Sequence, residues 1–233
     1  MVRRTKADAL ATRNSLLDAA EHLFQAHGVS RTSLNDIAVE AGTTRGAIYW
    51  HFKDKADLFN AMMERVTLPM EATLAGTART ASTTVNPLLS LRESMMSALR
   101  QTATDEQTRR VFEVATHKVE YVSEMQAVRE RHLQVRNECM AMTEEALREA
   151  VRRENIALAM PVATAALGLH VIIDGLIQNW LLDPEAFDLM SSGRHTVDAY
   201  LSGLGFTLPA ARAPRRAAPA RARAVAGARP PGP

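Results

Sequence analysis

An all-α fold is predicted by three features of the chain. Apolar residues recur at steps of three and four from Leu16 to Leu204, the spacing of one helix face. Glycine or proline closes many of these runs, and Ser, Thr, Asp or Asn opens many of the next. Finally, residues 123–155 run without a proline or glycine, through Met125, Val128, His132, Val135, Cys139, Met142 and Ala146, as a long helix packed in a bundle does. At 233 residues the chain is long enough for one large or two modest domains.

In chain order, residues 1–7 form an arm with Arg3, Arg4 and Lys6, either a solvated terminus or a reach into a minor groove. A first helix spans about 8–27, with Leu16, Ala19, Ala20, Leu23 and Phe24 on one face and Gly28 past its end. Next, Leu34, Ile37, Ala38 and Ala41 lie at i, i+3, i+4 and i+7; Ser33 caps this helix with Asp36 in the capping-box position, and Gly42 supplies a positive φ at its end. Thr43 and Thr44 open a short helix from Arg45 to Phe52, with Ile48 and Phe52 on its core side and Arg45 and Tyr49 outside.

Asp54, followed by Asp57, caps a fourth helix with Leu58, Phe59, Met62, Met63 and Val66 on its apolar side. Pro69 predicts a kink or break, and the Ala- and Thr-rich residues 73–85 predict a loop. Asn86 and Pro87 then start a helix to about Thr102, and Thr104 or Asp105 starts another to about His117. A polar line of His170, Asp174 and Gln178 runs along an apolar helix over about 160–182, and a last helix spans about 187–203. Residues 209–233, Ala, Pro and Arg with almost nothing to bury, read as a disordered tail.

The net charge of +2 conceals an uneven distribution. Residues 1–55 carry eight Lys/Arg against six Asp/Glu, residues 56–209 fourteen against twenty, and residues 210–233 six against none. An acidic middle repels phosphate, so nucleic-acid contact belongs to the ends. The single cysteine, Cys139, excludes an intramolecular disulfide and a multi-cysteine zinc site, which suits a reducing cytoplasm. Residues 157–182 are long and apolar enough for a membrane span, but His170, Asp174, Gln178 and Asn179 interrupt them, so a bundle helix is expected and no membrane. No nucleophile elbow, dinucleotide or Walker loop or H-E-x-x-H is present, so no enzyme, cofactor or metal ion is expected. His117 and Glu120 make only an isolated pair of ligand types.

Residues 32–59, TSLNDIAVEAGTTRGAIYWHFKDKADLF, thus hold two short helices turned through a glycine loop, the pattern of a helix-turn-helix with Arg45–His51 as recognition helix. Ser33, Thr44, Arg45, Gly46, Tyr49, Trp50, His51 and Lys55 form the expected DNA-contact set, with guanidinium for a base edge and hydroxyls, imidazole and ammonium for phosphates. A plain helical hairpin, or a head that binds another protein, gives the same bare pattern.

The segment TRGAIYWHFKDKADLF, with the opening MVRRTKADALATRNSLLDAAEHLFQAHGVSRTSLNDIA, closely resembles the N-terminal domain of the TetR family of repressors, in particular the AcrR-like and TtgR-like branch that controls multidrug efflux pumps. The resemblance implies a three-helix DNA-binding head over 1–53, a ligand-binding and dimerisation bundle over 54–208, and a four-helix dimer interface built by the last two long helices and their copies. It implies a homodimer that binds double-stranded operator DNA and is released by a small lipophilic ligand, with repression of an efflux operon as the main reading and another operon, or activation, as the alternative. The fourth helix becomes the link from ligand to head, with Thr67, Met70 and Leu74 at its pocket end. The implied pocket comprises Met70, Met95, Ala98, Phe112, Cys139, Thr143, His170, Ile173, Asp174, Ile177 and Gln178. Gln178 stands where some relatives have arginine, and Phe112 where some have a polar residue, which implies weaker anion binding and a more aromatic-friendly cavity.

Overall fold

The computed structural model describes residues 6–80 and 86–208 of the chain, and side chains over 6–69 and 86–208. Among the described residues there are nine α-helices, one 3-10 turn and no strand: α1 Lys6–His27, α2 Leu34–Glu40, α3 Arg45–His51, α4 Lys55–Thr80, α5 Pro87–Thr104, α6 Glu106–His117, the turn Ser123–Met125, α7 Gln126–Glu154, α8 Val162–Leu182 and α9 Leu189–Gly203. The arm expected over 1–7 yields Lys6 and Ala7 to α1; its first five residues and the tail at 209–233 lie outside the described residues.

The start of each short helix is fixed by its own side chains. Ser33 accepts from the Asp36 N–H, and the Asp36 carboxylate accepts from the Ser33 N–H at 2.9 Å, a complete capping box. Gly42, at φ +64°, turns the chain out of α2 where a side chain would be strained. Thr44 accepts from the Ala47 N–H at 3.2 Å and starts α3. Caps of this kind contribute about 1 kcal/mol each. Asn86 caps α5 with Pro87 at its first position, Asp105 caps α6, and Asp188 caps α9.

Two apolar cores organise the molecule. The first joins Leu16, Leu17, Ala20 and Phe24 of α1 to Ile37 and Ala38 of α2 and Ile48 of α3, with Phe52 beside them. It does not stop at the head: Leu58, Phe59, Met62 and Val66 of α4, Val111 and Val114 of α6, and Met125 and Val128 complete it. Each large side chain sealed there contributes about 1.5–3 kcal/mol. The second core joins α5, α7, α8 and α9 through Leu99, Leu147, Leu169, Trp180, Val197 and Leu201. Phe112 packs against both.

Two glycines set the spacing of the second core. A Cβ at Gly193 would stand 2.1 Å from Leu99 Cδ1, so α9 rests against α5 only because nothing projects there. A Cβ at Gly168 would stand 2.0 Å from the Tyr200 hydroxyl, which crosses α8 to donate to the Ala165 carbonyl at 3.2 Å. Arg92 of α5 forks onto Asp198 of α9, with Nε to Oδ1 at 2.5 Å and a second bond at 2.8 Å.

Two sequence expectations are corrected by α4. The helix continues through Pro69, so the break expected as the alternative to a kink is absent, and residues 73–80, expected as loop, are helical; of that expected loop, 81–85 lie outside the described residues. Proline removes one backbone donor, but the helix is held by the first core over its N-terminal turns and continues into Ala72, Ala75 and Ala78, strong helix formers. The apolar helix α8 is long and apolar enough to span a membrane by length and composition, yet Ala165, Ala166, Leu169, Trp180 and Leu181 are buried within the bundle.

Candidate nucleic-acid interface and ligand chamber

A sealed side and an open side make α3 a presenting element. Ile48 is wholly buried in the first core, whereas Thr44, Arg45, Gly46, Tyr49 and Trp50 are exposed. The Arg45 guanidinium lies 5.7 Å from the centre of the Tyr49 ring, a contact that restrains it without consuming its donors. Trp50 is 73% exposed, the most exposed of the large apolar side chains described, and the half-buried His51 ring meets it edge-on at 4.6 Å. A Cβ at Gly46 would meet only the Thr44 hydroxyl at 3.9 Å, so the protein itself does not require glycine there. Thr44 spends one lone pair on its cap and keeps its hydroxyl proton for an outside acceptor.

Two residues of the expected contact set are committed elsewhere. Lys55 donates to the Val29 carbonyl at 3.1 Å and to Glu124 at 3.3 Å, and its side chain is only 17% exposed. The Ser33 hydroxyl donates to the Asp36 carboxylate at 2.7 Å while accepting from the Asp36 N–H, and that donation, with the one from the Ser33 N–H, holds the Asp36 carboxyl below the ordinary aspartate range. The Ser33 commitment is the capping box that the spacing predicts, whereas helix spacing does not reveal that of Lys55, whose partners lie in the α1–α2 turn and between α6 and α7. Beside them opens a cleft of about 340 Å³ whose lining includes Arg31, Ser33, Tyr49 and Lys53. Arg31 and Lys53 are exposed cations absent from the expected set, because both stand in turns outside the helical periodicity.

The expected pocket residues are distributed over helices that pack on one another: Met95 and Ala98 on α5, Phe112 on α6, Cys139 and Thr143 on α7, and His170, Ile173, Asp174, Ile177 and Gln178 on α8. Asp174 and Gln178 are exposed and the other eight are half-buried. Met70 lies on α4 outside the described side chains. Gln178 donates to the Asp174 carboxylate at 2.6 Å, so this part of the polar line satisfies itself along one helix face. Burial lowers His170 despite the opposing influence of Asp174, and burial raises Tyr121, with Asp174 adding to the effect. Nearby, Arg109 donates to the Ala103 carbonyl at 2.5 Å and stacks over Trp180 at 5.2 Å, while its buried Nε has no hydrogen-bond partner.

Head and body are locked together by a buried carboxylate. Glu21 of α1, 1% exposed, accepts from Arg65 of α4 at 2.7 Å and from Gln107 of α6 at 3.1 Å, with Arg110 at 3.7 Å. Burial raises its pKa, and Arg65 is the strongest influence opposing that rise. Gln25 reaches Glu113 of α6 at 2.7 Å from the same helix.

Comparison with known proteins agrees with this architecture. Residues 16–62 match the bacterial regulatory proteins of the tetR family, and residues 86–206 match the C-terminal region of MAATS-type transcriptional repressors. The chain is 37% identical over 203 residues to the HTH-type transcriptional repressor BepR of Brucella suis, covering 87% of this chain and 96% of that one. It is 37% identical over 206 residues to the HTH-type transcriptional regulator TtgR of Pseudomonas putida, covering 88% and 96%. Among solved structures it is similar to NalD, the secondary repressor of the MexAB-OprM multidrug efflux pump in Pseudomonas aeruginosa, with a TM-score of 0.76, 34% identity and coverage of 84% and 98%. It is also similar to SmeT, the repressor of the Stenotrophomonas maltophilia pump SmeDEF, in complex with triclosan, with a TM-score of 0.72, 32% identity and coverage of 83% and 91%. The exposed reading helix on its sealed core and the helical body behind it are those of a transcriptional repressor, and the chain belongs to the TetR family of bacterial regulatory proteins.

Proposed function

We propose that the protein is a homodimeric, ligand-responsive repressor of a multidrug efflux operon, acting in the cytoplasm without membrane contact. The observation that carries this reading is α3 itself: one face sealed into the first core, the other presenting Arg45, Tyr49 and Trp50 on a helix sized for a major groove. Arg45 reads a base edge; Thr44, Tyr49 and His51, with Arg31 and Lys53 from the flanking turns, hold phosphates; Gly46 lets the backbone approach. Ser33 and Lys55 support the surface from behind. Two copies place their reading helices about 34–36 Å apart, one turn of duplex. The exposed Leu167, Val171 and Leu182 of α8 support pairing of α8 and α9 with a second copy, because such a row costs free energy in water.

The half-buried residues from Met95 to Gln178 form the chamber for a lipophilic or aromatic compound. Occupancy releases DNA only if the compound binds the two head arrangements unequally, and coupling of about 1–3 kcal/mol corresponds to a 5- to 150-fold loss of operator affinity. NalD and SmeT repress efflux pumps, and SmeT is known with triclosan bound, which supports this ligand class. The test is fluorescence anisotropy on DNA upstream of the protein's own gene at two salt concentrations, with and without triclosan. Sequence-selective binding that triclosan weakens is expected; equal affinity for scrambled duplex refutes the repressor reading.

A further inference from the structure

The non-helical connection between α6 and α7, residues 118–122, with Glu124 just beyond it, touches the head at the turn that joins α1 to α2. The Val29 N–H donates to the Lys118 carbonyl at 3.0 Å, and the Val29 carbonyl accepts from Lys55, whose ammonium is also paired with Glu124. Both backbone polar groups of Val29 are therefore held, one directly by the connection and one through Lys55. The Ser30 hydroxyl donates to Glu120 at 3.2 Å, and the Val29 side chain is 1% exposed. This turn leads directly into α2, on which α3 packs.

The residue just before the connection, His117 at the end of α6, touches the body. His117 Nε2 lies 3.1 Å from the Gln178 carbonyl, and since a carbonyl only accepts, that nitrogen carries the proton. Gln178 gives its side chain to Asp174 and its backbone carbonyl to His117. One turn of α8 thus meets the polar line on one side and the connection on the other. The Tyr121 ring stands across His132 of α7 at 6.4 Å.

We infer that residues 117–124 form a positioning strap, fastened to α8 at His117 and to the α1–α2 turn at Lys118 and Glu120, with Glu124 holding Lys55 at the very start of α4, so that a shift of α8 repositions the head without passing along the length of α4. The inference rests on the proposed ligand response for its purpose, but the mechanical link stands on contacts within one chain. A two-state element biased from both ends transmits in both directions, so loosening the α8 end alters the head even without ligand.

The full chain tests this in two arms. In ligand-free protein, His117→Ala raises hydrogen exchange at the Val29 amide at least tenfold, while the α1 amides around Leu16 and Leu17 stay unchanged; His117→Gln, which keeps a donor, restores most of the protection. In the second arm, the double variant Glu120→Gln and Glu124→Gln binds upstream DNA within threefold of the parent, and triclosan, used as the probe, lowers that affinity at least fivefold less than in the parent. Unchanged Val29 exchange in His117→Ala, or triclosan release of the double variant equal to the parent's, overturns the strap. If triclosan fails to release the parent, the triclosan response fails instead, and the exchange arm still decides the strap.

Discussion

The head and the proposed chamber are built to opposite rules. In the first core, Leu16, Leu17, Ile37, Ile48 and Phe24 have no exposed surface, and the outer face of α3 is turned to solvent. Across the proposed chamber, Met95, Phe112, Cys139, Thr143 and His170 are all half-buried. A sealed core fixes one arrangement and therefore one spacing of the side chains it carries, whereas side chains left half-exposed keep surface that another molecule can cover. Under the proposed function, the sealed part is the one that discriminates sequence and the half-buried part the one that responds.

The sharpest way to break the contrast is to alter the anchoring carboxylate. Glu21→Ala removes the buried acceptor shared by Arg65, Gln107 and Arg110, and we expect a loss of about 1–3 kcal/mol in chemical unfolding. If stability is unchanged, head and body are not locked at this point. Arg45→Ala is expected to remove about 1–3 kcal/mol of base discrimination, read by anisotropy on matched and scrambled duplexes, with the melting temperature unaltered. Retained selectivity would move the reading role elsewhere on α3. Gly168→Ala should cost about 1–3 kcal/mol of stability by driving Tyr200 out of its seat, which circular dichroism melts would register; an unchanged melt would show that α8 and α9 adapt.

Acid titration gives a smaller effect. Asp36 and Asp105 are lowered chiefly by side-chain hydrogen bonds from Ser33 and Thr108. Their stabilisation is therefore full above the ordinary aspartate value and fades as pH falls through the lower folded one. Asp105→Asn should flatten the acid limb of the melting curve relative to the parent; an identical slope would mean the cap contributes no proton linkage. The smallest expected change is Gly46→Ala. With room for a Cβ and a better helix former, its stability should rise by up to about 1 kcal/mol while DNA affinity falls, because only the duplex crowds that position. Unchanged affinity would place α3 further from DNA than proposed.

Much of the head is legible in the sequence because its determinants are local. Ser33 with Asp36, Gly42, Thr44, and the pair Ile48 and Phe52 announce helix ends and faces within a few residues of one another. The commitment of Lys55 is hidden for the complementary reason: its partners, Val29 and Glu124, lie 26 and 69 positions away. Arg31 and Lys53 escape because a periodicity argument is silent about turns. Residues 73–80 read as loop when alanine is weighed as small rather than as helix-forming. The pocket residues depend on resemblance, as periodicity assigns a face to the core but does not tell a filled face from one left for a guest.

The membership of the first core has a practical consequence for building biosensors from this chain. A chimaera spliced after Lys53 would strip from the transplanted segment Phe59, Met62, Val111, Val114 and Met125, and with them much of what keeps it folded. A foreign sensor grafted at that seam has to bring matching apolar surface of its own. Phe112, lodged between the two clusters, would be the first side chain to match in such a transplant.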